Sequence, residues 1–366
     1  METRSRTLVI LGSAALVSLA LAAFALEQRA AEGRPHYTPT TFLPGFADAV
    51  KNAALIHVES HDGAFDVVYT GKGWVLPTKG NYPADFDQVR HTLIGMATLE
   101  TIEPRTARAD WLHYIKLDAP PKGAGTEITV KDKSGTVLGA VVTGNTEDLG
   151  DPNGAQGLFV RKPNENQAYL ARTAFVPPSD LASWLSTKVL SLGGTRIQEV
   201  AMQPLTGPGF LVRRGSPSEQ IYTLANPPKG PSNSQTINSI PFSIANFSFA
   251  DVKPVNAADF AKPAHAIART FDGLLVTFDL AQVGPDVWTR LSASTAPGAK
   301  PDIVQQAQTI NERVQGFEFK LPSEKGTALM VDLAKIMAAP KPPPGQPGMP
   351  GGMPAGMPPG MMGGAP

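Results

Sequence analysis

The sequence predicts an α+β protein: two tandem repeats of an antiparallel sheet with packed helices, after an N-terminal transmembrane helix. Three observations predict it. An uncharged apolar run, Leu8 to Leu26, opens the chain. After it, short stretches of alternating apolar and polar residues are joined by glycine-bearing turns, the pattern of half-buried antiparallel strands. The order of turn, helix, x-x-[Ile/Val]-x-Pro and hairpin then occurs twice, at a spacing of about 140 to 150 residues.

The N-terminal run can cross a membrane, since 19 helical residues at 1.5 Å each span roughly 28 Å, close to the hydrocarbon thickness of a bilayer. Arg4 and Arg6 precede it, whereas Glu27, Arg29, Glu32 and Arg34 cancel after it. The positive-inside rule therefore keeps residues 1–7 cytoplasmic, makes 8–26 the anchor and sends the remainder outside through a linker, 27–47. The expected location is the inner (cytoplasmic) membrane, single-pass, with the bulk periplasmic. A cleaved signal peptide is the competing reading, because Ala20-Leu21-Ala22 and Ala23-Phe24-Ala25 have the small-x-small form. The apolar run, however, is longer than the ~7–15 residues of a signal core.

The first repeat is placed at 48–192. Ala54–Ser60 and Ala64–Thr70 flank "HDG", where Gly63 can take positive φ, and "GKG" turns the chain into Trp74-Val75-Leu76, completing a three-stranded meander. Pro83 suits a first helical turn, and Phe86, Val89, Leu93 and Met96 form one apolar helix face. A short helix follows around Trp111 and Tyr114. "TEITVKDKSGTVLGAVVTG" is a hairpin turning at Lys133-Ser134-Gly135, "GLFVRK" and "QAYLAR" are strands, and "PSDLASWLS" is a helix capped by Ser179.

The second repeat, 193–338, follows the same order. "RIQEVAMQ", "GFLVRR" and "IYTL" correspond to the meander, "FADVKP" to "LETIEP", and "AHAIARTFDGLLVTFDL" to the hairpin, turning at Asp272-Gly273. "DVWTRLSAS" and "GFEFKLP" are the later strands. Between them an insertion places Ile303, Ala307, Ile310 and Val314 at helical spacing, and a last helix falls near Leu329–Met337. Residues 339–366, rich in Pro, Gly and Met, have too little varied apolar surface for a core and are expected to be disordered.

Composition narrows the function. With 32 basic and 32 acidic side chains the net charge is zero, which argues against a nucleic-acid partner. Cysteine is absent, so disulfides, thiolate metal sites and cysteine nucleophiles are excluded.

The N-terminal anchor, the aromatic-x-Leu element with "GNYPADFDQVRHTLIGMATLE", the hairpin "ITVKDKSGTVLGAVVTG" followed by "GLFVRK", and the late "FDGLLVTF" together resemble the bacterial family called domain of unknown function 4340. The resemblance spans most of residues 50–338 and rests on structural motifs. It implies a membrane-anchored, extracytoplasmic α+β protein, often encoded beside ABC transporter components of the gliding-motility type. It supplies no catalytic residues, and the Pro/Gly/Met tail departs from the commoner pattern.

The residues themselves nominate few sites. There is no Gly-x-Ser-x-Gly elbow, no phosphate-binding Gly-x-x-x-x-Gly-Lys and no His-Glu-x-x-His, so no catalytic residue and no cofactor is assigned. His57, Glu59 and His61 alternate, so a straight strand would present all three on one side, within reach of one zinc ion. His61 abuts the turn, though, and the remaining histidines show no paired spacing. Met349, Met353, Met357, Met361 and Met362 could gather thioethers around Cu(I). Glu147, Asp148, Asp151 and Asn153 are hard oxygen donors, but their loop lacks the EF-hand register and reads as a solvated turn.

The expected function is accordingly non-enzymatic: a membrane-anchored periplasmic accessory or scaffold protein, partnered by an ABC-type transporter or other envelope proteins. The alternatives are a periplasmic copper- or zinc-binding protein and an envelope hydrolase whose site is scattered through the sequence.

Overall fold

The structure, a computed structural model, describes residues 37–338 apart from 153 and 175. The expected anchor at 8–26, the tail and its methionines lie outside these residues. No described helix is long and apolar enough to cross a membrane. The chain is α+β, with two antiparallel sheets and few helices, and it divides between Thr187 and Lys188 into two compact units.

In the first unit, β1 (Thr40–Thr41) leads to helix α1 (Phe46–Ala49) and the meander β2 (Ala53–Ser60), β3 (Gly63–Tyr69), β4 (Trp74–Leu76) and β5 (Tyr82–Pro83). Helix α2 (Phe86–Ala97) precedes β6 (Glu100–Pro104) and a 3₁₀ turn, Ala109–Ile115. Four strands follow: β7 (Thr126–Asp132), β8 (Val137–Asp148), β9 (Gln156–Arg161) and β10 (Ala168–Thr173). The sheet order is β1-β6-β10-β9-β8-β7-β2-β3-β4-β5.

The second unit has β11 (Ile197–Gln203), β12 (Phe210–Arg213), β13 (Thr223–Leu224), helix α3 (Ser234–Ala245), β14 (Asp251–Pro254), and then β15 (Ala264–Thr270), β16 (Leu274–Val283) and β17 (Asp286–Thr295). Helix α4 (Pro301–Val314) intervenes before β18 (Phe317–Lys320), and α5 (Ser323–Leu329) and α6 (Leu333–Met337) follow. Its sheet order, β14-β18-β17-β16-β15-β11-β12-β13, reproduces eight successive strands of the first sheet, β6 to β4.

The helices α2 and α3 correspond residue by residue. Asp85 and Asn233 cap them, each accepting a hydrogen bond from the backbone N–H three positions on, at 3.0 and 3.1 Å. Val89, Thr92 and Met96 are buried in one, Ile237, Ile240 and Ile244 in the other. Phe86, expected on the buried face, is 65% exposed, and Thr92 joins Val89 and Met96 in the inward stripe instead.

Each sheet packs one face into a main core. In the first unit Ile56, Val58, Val67 and Ile128 are fully buried there, with Trp184 meeting Phe65 edge to face at 6.0 Å between ring centroids. "PSDLASWLS" forms only a 3₁₀ turn, Ala182–Trp184, and Asp180 rather than Ser179 receives the Ser183 N–H. The Trp184 ring is fully buried in that turn. The N-terminal segment closes this core with Phe42, Leu43 and Phe46. In the second unit α4 packs on β16 and β17, burying the Ile303, Ala307, Ile310 and Val314 stripe as the spacing predicts. The last helix, expected as one element near Leu329–Met337, is instead two. Helix α5 ends at Leu329, and Asp332, with extended backbone, starts α6 afresh by accepting the Lys335 N–H at 2.8 Å.

The outer faces carry smaller clusters. The 3₁₀ turn Ala109–Ile115 lays Leu112 onto Val142 and Ala168, and the corresponding turn Ala257–Phe260 lays Phe260 onto Ala281 and Trp288.

Candidate functional site

The three strand residues singled out by their spacing are only partly brought together. His57 and Glu59 lie on the outer side of β2, opposite the buried Ile56 and Val58. His57 Nδ1 is 2.7 Å from Asp66 Oδ1, on its direct cross-strand neighbour. A carboxylate on Nδ1 aims Nε2 outward, as in metal-bound histidines. His61, however, sits in the turn, with Nδ1 3.2 Å from the Pro121 carbonyl oxygen. Among the described residues no group of three or more His, Asp and Glu is placed to hold a metal ion.

Asp66, His57 and Thr129 form a row across β3, β2 and β7, with the chemical membership of an acyl-transfer triad. The Thr129 hydroxyl donates instead to Glu127 Oε1 at 3.3 Å, so the row is not wired as a proton relay.

A second histidine–carboxylate pair occurs in the other unit. His265 Nδ1 lies 2.8 Å from Asp279 Oδ1, and Arg290 reaches the same carboxylate at 3.5 Å. Residue spacing alone did not reveal it, but hairpin register would have: His265 and Asp279 are equidistant from Asp272 in the turn and face each other.

The densest charge cluster lies on β14 and β18. Lys253 Nζ is 2.7 Å from Glu318 Oε1, 2.9 Å from Asp259 Oδ2 and 4.3 Å from the Trp288 ring centroid. The Glu318 side chain has no solvent exposure. Burial alone would lower the Lys253 ammonium's pKa, but the two carboxylates outweigh it and raise it. Such a group is locked in its charged form, suited to holding structure and unsuited to giving up a proton.

Other buried cations are likewise committed. Arg161 donates to the carbonyls of Leu117, Lys162 and Pro163 at 2.6, 2.9 and 2.7 Å, and burial lowers its pKa. Arg214 donates to those of Ile197, Glu219 and Gly194 at 2.9, 2.8 and 2.7 Å. Burial also lowers the Lys325 pKa, and its ammonium donates to the Asn246 carbonyl and the Ser248 hydroxyl. The loop holding Glu147 and Asp148 is internally tied: Glu147 pairs with Arg105 at 3.1 Å, and Asp148 accepts the Gly150 N–H at 2.8 Å.

Two clefts open on the second unit. One, of about 460 Å³, is a shallow apolar trough beside β12 and β13, lined by Met202, Phe210 and Leu224. The other, of about 400 Å³, lies between the β16–β17 hairpin and α5, and carries Asp286, Lys320 and Lys335.

Large apolar side chains also stand in solvent. Ile94 on α2 is 51% exposed and Phe242 on α3 is 66% exposed, and both are the ninth residue after the helix cap. The class these observations define is an α+β protein of two antiparallel sheets, with charges paired along the sheet faces and apolar residues exposed on two helices.

A family model described as Domain of unknown function (DUF4340) matches residues 74–265, just over half of the chain, and the chain belongs to that family. The match begins at β4 and ends within β15, so it takes in part of each unit. No curated protein and no solved structure matches the chain.

Proposed function

We propose that this is a non-enzymatic, membrane-anchored periplasmic accessory protein, whose two units are copies of one design that bind an envelope partner such as a component of an ABC-type transport system. The observation that carries the reading is the display of Ile94 and Phe242 at the same position of corresponding helices, each exposed by half or more. A helix that only covers a sheet gains nothing from an apolar residue in water at that position. Two such residues on matched helices suit a partner that reads both. The uncharged run Leu8–Leu26 supports the anchor, and the family resemblance supports the transport link.

The test is photocrosslinking in intact membranes, with benzoylphenylalanine replacing Ile94 or Phe242 in the full chain. Both positions are expected to capture a discrete envelope protein. Recovery of uncrosslinked chain alone from both would sink the reading.

A further inference from the structure

We infer that the cleft between the β16–β17 hairpin and helices α5 and α6 is a binding site for a carboxylate group attached to a small apolar body. The cleft has about 400 Å³, within the range of small-molecule sites. Its floor is apolar, with Val287, Leu321 and Met330, whereas Lys320, Lys335 and Asp286 supply charge.

The charges do not cancel. Asp286 Oδ2 holds Lys320 Nζ at 2.8 Å, which leaves the Lys335 ammonium as the uncompensated charge among the described residues of the cleft. Two neutral donors nearby are already engaged: the Thr327 hydroxyl donates to the Ser323 carbonyl at 2.9 Å, and the Gln282 amide to the Gly284 carbonyl at 3.0 Å. An incoming anion therefore meets one uncompensated ammonium, Lys335, beside a Lys320 already paired with Asp286, and charge-assisted bonds are the strong ones. The apolar floor favours an anion with a hydrocarbon portion over inorganic phosphate.

The walls are fixed in advance. A Cβ on Gly326 would lie 3.0 Å from Val287 Cβ and Cγ2, so α5 packs backbone-close on β17. The Leu321 N–H donates to the Val287 carbonyl at 2.8 Å, and the Asn233 N–H to that of Ile336 at 2.7 Å, which ties α6 to the start of α3. A cleft held this way loses little entropy on binding. The feature is also peculiar to the second unit, since the first has the single 3₁₀ turn Ala182–Trp184 where the second has α5 and α6.

The experiment uses the full chain labelled with ¹³C-methyl methionine, with the Met330 resonance assigned through Met330→Leu. The probes are N-acetyl-alanyl-leucine, its C-terminal amide, and hexanoate. The free acid is expected to shift the Met330 resonance saturably. The amide, and the acid with Lys335→Gln, are expected to bind at least about tenfold more weakly, the loss of one charge-assisted hydrogen bond. Lys335→Arg should keep the affinity, and Ser323→Trp, which fills the cleft while leaving both lysines, should abolish it. Binding by the dipeptide alone would assign the site to peptide C-termini, and binding by hexanoate as well would assign it to small organic acids. Equal affinity for acid and amide, an unchanged Lys335→Gln, or no saturable shift with either acid would overturn the inference.

Discussion

Phe46 lies so close to Gly139 that a Cβ added to the glycine would sit 2.6 Å from Cδ2 of the ring. A residue ahead of the first meander thus packs against the backbone of β8, and the glycine is there because nothing larger fits. Gly139→Ala is expected to destabilise the first unit by about 1–3 kcal/mol through overpacking, and Phe46→Ala by about 3–5 kcal/mol through the cavity it leaves. Because one change relieves the other, the double variant should lose less than the sum. Urea unfolding with hydrogen exchange of β2 and β8 amides would measure this.

Glu318 and Lys253 make a different kind of contact. Replacing Lys253 with Met leaves the Glu318 carboxylate, which has no solvent exposure, without its cation, and is expected to cost about 3–5 kcal/mol. Replacing both Lys253 and Glu318 with Met should cost far less, since no charge is then stranded. Equal losses in the single and double variants would show that the pair is not the source of the effect.

The Asp272 clip predicts an acid dependence. Burial alone would raise the Asp272 pKa, but hydrogen bonds from the Thr270 hydroxyl and from the Arg196 guanidinium, the latter at 3.0 and 2.8 Å, outweigh it and lower it. A carboxyl with a lowered folded pKa contributes stability above its unfolded pKa and loses it as pH falls through the folded one. The pair is partly exposed, so the contribution is about 0.2–1 kcal/mol. Asp272→Asn should remove that increment at pH 7, and the gap between variant and parent should shrink as pH falls through the folded pKa, as read from urea midpoints of the second unit.

The edge of the second sheet is guarded by chemistry. Asp251 Oδ1 accepts the N–H of Val252 at 2.7 Å, and Pro254 has no N–H to offer, whereas in the first sheet the matching strand β6 is covered by β1. Asp251→Ala with Pro254→Thr is expected to produce dimers or larger species by light scattering at concentrations where the parent chain shows none. Ile94→Lys and Phe242→Lys should behave oppositely, leaving thermal stability within about 0.5 kcal/mol while abolishing partner capture.

Much of the fold was legible because it rests on local rules. Gly135 and Gly273, at φ 88° and 89°, close the hairpins where the turn dipeptides placed them, and the α4 stripe followed its period. What escaped was set by tertiary demand. Trp184 sits in a 3₁₀ turn because the main core draws the ring in, and the chain between α5 and α6 breaks where Asp332 caps a new helix. The chemistry was harder to read. Spacing within one strand pointed to His57, Glu59 and His61, whereas the partners that matter, Asp66 for His57 and Asp279 for His265, lie across a turn. The Lys335 cleft depends on α5 and α6 folding back to the hairpin, which no local pattern encodes.

The two-residue strand β1 has a mechanical consequence. Thr40 and Thr41 pair with Thr101 and Glu100 at the outer edge of the first sheet, and Phe42, Leu43 and Phe46 follow directly into its core. Tension applied through the chain ahead of residue 37 would fall first on that short pairing and then on these three apolar anchors. The first unit would open under load from this corner.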